Sequence, residues 1–369
     1  MKKYFFFCIL LLLPIIGIAQ TYKYIGVEDG LSNRRVYAIQ KGPKGYMWFL
    51  THDGIDRYNG KEFKPYKLMD GDEEVNSMMN LNWLYVDSKG TIWEIGKKGR
   101  VFRYDTKHDR FVLVYKLPES EVKGRPTPIS YGFVDANSVI WLCNEDALYL
   151  YDSNTQKVTF IQNEIGERIT DIAQIDSTHF FIGTDIGIHY AELANNTLTL
   201  SPCNQLDTLK IQINELYYHK PSHKVFIGTF QRGIFTYDLN EHIPSGLMDV
   251  SINCIRAYNN NEILIATDGA GVYKMNTDTY ESIPYIVADY NRYNSMNGNT
   301  INDIYIDSEQ RIWMANYPIG ITVRNNRYAD YQWIKHSIGN KQSLINDQVN
   351  AIIEDHDGDL WFATNNGIS

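Results

Sequence analysis

Few residues in this chain have the type and spacing for chemistry. Residues 355–359, DHDGD, resemble the opening of a calcium-binding loop. Such a loop needs a bidentate glutamate at its twelfth position, where this chain has Asn366, so the segment reads as a turn between strands. The nine histidines are scattered without metal-ligand spacing. Paired carboxylates at Glu28/Asp29 and Glu73/Glu74 fall in segments read as loops, where solvated charge is the ordinary state. Neither a Gly-x-Ser-x-Gly elbow nor a phosphate-binding glycine loop is present. No catalytic residue, metal or cofactor is therefore expected. A different set, Arg34, Arg35, His52, Lys97, Phe230, Arg232 and Tyr317, combines rings with cationic and hydrogen-bonding groups, which suits sugar recognition. Whether these residues can meet depends on the elements that carry them.

Those elements repeat. The segments YMWFLTHDGI, TIWEIGKKGRV, VIWLCNEDAL, HFFIGTDIGI, KVFIGTFQRGI, EILIATDGAGV, RIWMANYPIGI and DLWFATNNGI are eight copies of one pattern. Their anchors are Trp48, Trp93, Trp141, Phe181, Phe226, Leu264, Trp313 and Trp361, spaced 38 to 49 residues apart. That period is the length of a four-stranded propeller blade. Every anchor is large and apolar, as a knob between stacked sheets must be. Two residues later stand Cys143, Gly183, Gly228, Ala266, Ala315 and Ala363, small enough to admit a neighbouring sheet. A glycine follows at Gly54, Gly99, Gly187, Gly233, Gly271, Gly320 and Gly367, as a hairpin requiring positive φ would prefer. Each copy has an alternating first strand, a turn, the anchor strand, a tyrosine-rich third strand and a shorter fourth. The expected fold is all-β: a β-propeller of four-stranded blades, seven in number, plus the start of a second propeller.

Before the first copy, YKYI reads as a fourth strand without its own first three, placed to join the last blade and remove the free sheet edges. RYADYQWI, residues 327–334, is then a spare fourth strand. The expected organisation is a propeller over 20–327 and the incomplete first part of a second over 328–369, with an eighth blade of one ring as the alternative. In either ring, the loops before each first strand and after each anchor strand converge on one face. The seven candidate ligand residues lie in those loops.

Composition and the N-terminus bound the setting. Lys+Arg number 35 against 44 Asp+Glu, a net charge of −9 without a basic block, so no nucleic-acid partner is expected. Residues 1–19 carry two lysines, an apolar run, Pro14, and Gly17 and Ala19 before a cleavage point, the pattern of a secretory leader. The run is short for a membrane span. The chain is expected in the periplasm. Cys143, Cys203 and Cys254 are odd in number and lack CxxC spacing, so buried free thiols are expected in place of a disulfide or zinc site.

VEDGLSNRRVYAIQKGPKGYMWFLTHDGIDRYNGKEF and SLINDQVNAIIEDHDGDLWFATNNGI resemble the two-component regulator propeller repeats in the periplasmic sensor region of Bacteroidetes hybrid two-component system histidine kinases. The resemblance spans essentially the mature chain; copies three to six have drifted, with Phe or Leu at three of their anchors. It implies two seven-bladed propellers followed by a small β-sandwich, a transmembrane helix, a histidine kinase, a receiver and a DNA-binding domain. It also implies an oligosaccharide ligand and control of polysaccharide-utilisation genes. The chain is thus expected to be a truncated N-terminal sensor fragment with no enzymatic activity of its own. Its expected partners are an oligosaccharide and the missing C-terminal regions, with membrane contact only through those regions and a homodimer left open. A stand-alone exported interaction module and a propeller lyase or glycosidase are the other readings; the latter would need convergent acid/base residues, which the repeats do not show.

Overall fold

In the first seven copies the anchor strand is buried on both faces, and that burial determines how the sheets stack. In Met47–Thr51 all five residues are buried. Trp48 packs against Tyr104 and Phe111 on one side, while Phe49 packs against Trp313 on the other. Side chains alternate across a strand, so a strand apolar at successive positions must lie between two other sheets. The computed structural model describes residues 21–75, 83–120, 125–126, 128–201, 210–238, 245–246, 249–289, 295–325, 334, 336 and 343–369. The leader 1–19, Cys203 and nearly all of 327–334 lie outside them. Among the described residues the regular structure is β-strand, with 3₁₀ turns at Val27–Asp29 and Lys220–Ser222.

The described residues form two compact units, one over 22–324 and one over 325–369. In the first, seven four-stranded antiparallel sheets follow one another. Their innermost strands are Val36–Lys41, Trp83–Val86, Tyr131–Val134, Ile169–Gln174, Ile213–His219, Ile252–Ala257 and Ile301–Ile306. Each neighbours the next, and the seventh lies beside the first, so the strands surround a central channel. This is a β-propeller. Thr21–Ile25 is the fourth strand of the seventh blade, hydrogen-bonded to Gly320–Asn325. The clasp leaves no room beside it: a side chain on Gly320, at φ +126°, would meet the Ile25 carbonyl at 2.5 Å.

The small-residue column has a steric cause. A Cβ added to Gly183 or Gly228 would lie 2.7 Å from Cγ2 of Ile213 or Ile252, the first residue of the next blade's inner strand. Cys143 and Cys254 are buried free thiols, and burial raises both well above the ordinary thiol range.

The second unit holds a three-stranded sheet, Val349–Glu354, Leu360–Thr364 and Gly367–Ile368. Seven anchors are at most 6% exposed, whereas Trp361 in this sheet is 51% exposed among the described residues. Nothing among the described residues covers that face, and Ile352, Ile353 and Leu360 are exposed with it. Residues 355–359 form a turn: the Asp355 carboxylate accepts the backbone N–H of Asp357 and Asp359 and the Trp361 indole N–H. No helix among the described residues is long and apolar enough to cross a membrane.

Candidate functional site

The channel is built from the inner strands, and most of these begin with a register shift that frees backbone groups. Such bulges fall at Val36/Ala38, Ile169/Asp171, Ile213/Glu215, Ile252/Cys254 and Ile301/Ile304. A bulge leaves unpaired groups that must find other partners. They find them in the neighbouring blade. Nδ2 of Asn214, Asn253 and Asn302 donates to the carbonyls of Ile252, Ile301 and Val36 at 3.0, 3.1 and 2.8 Å. The next residue supplies the complementary bond. Asp303 accepts the Ile39 N–H at 2.8 Å, Glu215 the Ile255 N–H at 3.4 Å, and Asp171 the Leu216 N–H. These polar side chains are first of all stitches between blades.

Inside the channel the acids converge on one cation. Arg256 bonds Glu215 at 2.5 Å and Asp303 at 2.8 Å, and Cys254 Sγ donates to Asp303 at 3.2 Å. Burial opposes the guanidinium charge, but Cys254, Asp303 and Glu215 around it raise its pKa well above the ordinary value. Asp171 accepts the Tyr131 hydroxyl. Burial, with the Glu215 charge nearby, pushes the Asp171 carboxyl up to about 8. Burial likewise raises Glu215 and Tyr131. The channel cavity measures about 480 Å³. Among the described residues no group of three or more His, Cys, Asp or Glu could hold a metal ion.

Above this network the channel opens through a mouth of about 410 Å³. Tyr37, Trp83 and Tyr131 give it aromatic walls, and Gln212, Asn214, Asn253, Asn302 and Arg168 line it with amide and guanidinium groups. Trp83 stands edge-on to Tyr131, ring centroids 5.6 Å apart. Ser130, Arg168 and Gln212 immediately precede inner strands, so the mouth opens at the end where the candidate loops converge.

The structure distributes the seven sequence candidates unevenly. Arg35 lies over the Tyr317 ring at 5.8 Å, and its carbonyl accepts the His52 N–H at 2.9 Å, so these three meet between the seventh and first blades. Arg34 is turned to Glu28 at 3.1 Å, both exposed. Phe230, 47% exposed, is tied through its N–H to the Gln212 carbonyl at the mouth. Lys97 and Arg232 are exposed, Lys97 accepting the Ile129 N–H on its carbonyl. Sequence reasoning missed the mouth itself. The signal was INEL, INCI and INDI, residues 213–216, 252–255 and 301–304, in which asparagine precedes a lumen residue at the same place of three inner strands.

Comparison with known proteins agrees with this architecture. Residues 343–366 match the family model "Two component regulator propeller". The chain is 25% identical over 186 residues to histidine kinase P4 of Formosa agariphila, covering 46% of this chain and 13% of that one. It superposes on the extracellular domain of a hybrid two component system of B. thetaiotaomicron with TM-score 0.68 and 19% identity, over 95% of this chain and 53% of that one. A streptogramin B lyase structure matches with TM-score 0.60 and 15% identity, over 83% and 97%. This chain thus spans about half of the sensor structure and a small part of the kinase. It resembles the sensor region of hybrid two-component systems, and the propeller fold is shared with an enzyme as well as with sensors.

Proposed function

We propose that this chain is the ligand-reading propeller of a periplasmic two-component sensor, and that it takes a glycan-derived oligosaccharide at the channel mouth. In this reading a longer protein couples the propeller to a histidine kinase, the leader 1–19 directs export, and 328–369 opens a second propeller. The observation that carries the ligand proposal is the mouth itself: aromatic faces of Tyr37, Trp83 and Tyr131 beside fixed amides and Arg168. Sugar C–H faces stack on rings while hydroxyls bond to preset donors and acceptors. The acids below are engaged with Arg256 and backbone N–H groups, which favours binding over hydrolysis. Arg35, His52 and Tyr317 extend the same face toward a longer chain.

Calorimetric titration with oligosaccharides from partially hydrolysed neutral and acidic polysaccharides tests this. Saturable binding is expected, weakened about tenfold or more by Trp83→Ala, since a large aromatic anchor carries much of such an interface. Release of shorter sugar products would instead mark an enzyme. Unchanged affinity in Trp83→Ala would remove the mouth from the account.

A further inference from the structure

A second cavity lies at the opposite end of the strands, where the first and second blades meet. In the second, third and seventh blades and in the sheet of 349–368, an aspartate six residues before the anchor tryptophan accepts its indole N–H. The pairs are Asp87–Trp93 at 2.9 Å, Asp135–Trp141 at 3.4 Å, Asp307–Trp313 at 3.0 Å and Asp355–Trp361 at 2.8 Å. The first blade keeps the tryptophan, Trp48, but has Gly42 at the aspartate's place. Trp48 is 1% exposed, and its N–H meets no acceptor among the described residues. The indole N–H edge opens on a cavity, where a ligand can supply the acceptor that aspartate supplies in four other copies. Its Nε1 edge faces Gly42: a Cβ there would lie 2.7 Å from Nε1. Both residues line a cavity of about 410 Å³.

We propose that this cavity is a ligand site for a carboxylate-bearing sugar of one or two rings, a uronic acid. The ligand carboxylate accepts the Trp48 N–H, as the chain's own aspartates do in four other copies, and exposed Lys44 on the same hairpin balances its charge. Half-buried Tyr46 offers a ring to the sugar's C–H face, and Thr91 and Asp105 on the facing blade accept its hydroxyls. The volume suits one or two rings. The site does not depend on the channel-mouth reading.

The test is a titration of the whole chain, ¹⁵N-labelled at its tryptophan indoles, with glucuronate, glucose and acetate. The Trp48 resonance, assigned by its loss in W48F, is expected to move saturably with glucuronate and at least tenfold more weakly with glucose or acetate. Calorimetry is expected to show glucuronate binding weakened about tenfold or more in W48F, the range for a lost hydrogen bond to a charged group. K44Q is expected to weaken it several-fold, and it leaves the packed core untouched should W48F fold poorly. A Trp48 signal unmoved by millimolar glucuronate overturns the proposal. Equal response to glucose removes the carboxylate from it, and equal response to acetate leaves only an anion pocket. A response confined to Trp83 would belong to the channel mouth and count against this site.

Discussion

Asp171 shows how one buried group can govern behaviour in solution. It sits in the channel beside Glu215, and its carboxyl is raised to about 8 by burial and that neighbouring charge. An unfolded aspartate releases its proton near 4. Between these values the folded chain holds a proton that the unfolded chain has lost, so stability falls as pH rises through this window. The unfolding free energy of the native chain is expected to fall between pH 5 and pH 8, and that of D171N to fall less, by at least about 1 kcal/mol. Parallel pH profiles in urea denaturation would contradict this. Legibility at this scale was mixed. The aspartate–tryptophan clasp could be read from DSKGTIW, DANSVIW and DSEQRIW, where aspartate accompanies tryptophan, whereas the Phe181, Phe226 and Leu264 copies have Ile175, Lys220 and Tyr258 in its place. The convergence of Asp171, Glu215, Arg256 and Asp303 could not, because they come from four segments that only ring closure brings together.

The blade is built from elements whose order was plain in the sequence and whose joints were not. Strand alternation, the tyrosine-rich third strand and the small-residue column follow from local pattern and volume. The bulge at the inner strand and the asparagine that crosses to the next blade depend on backbone geometry that no local pattern specifies. The fourth blade exposes the rule by breaking it. Thr170 stands where Asn214, Asn253 and Asn302 reach the following blade, and its buried Oγ1 has no partner. Threonine is too short to span the gap. T170N is expected to bond the Ile213 carbonyl and raise stability by about 0.5–1.5 kcal/mol, the ordinary net worth of a hydrogen bond. An unchanged or lower denaturation midpoint would contradict the stitching rule.

For the whole molecule, the ring is closed by Thr21–Ile25 on the seventh blade, which YKYI suggested because it lacked its own first three strands. Ile25 is 2% exposed within that junction, packed with Val36, Phe49 and Trp313. Deleting residues 21–25 is expected to cost about 2 kcal/mol or more, from the burial of Ile25 alone, and to appear as a lower Tm. A chain melting unchanged would place closure elsewhere. That the candidate loops share one end was legible, since strand order fixes which loops lie together. Which of those residues approach one another was not legible: Arg34 is taken by Glu28, and Trp83 contributes from an inner strand outside the candidate loops. The central claim is that the channel mouth reads an oligosaccharide. Its most direct test is to follow the Trp83 indole resonance of the full chain while adding defined oligosaccharides, with W83F to assign it. A saturable shift at Trp83 with at least one of them is the expected result; an unmoved Trp83 while calorimetry records binding would contradict the claim.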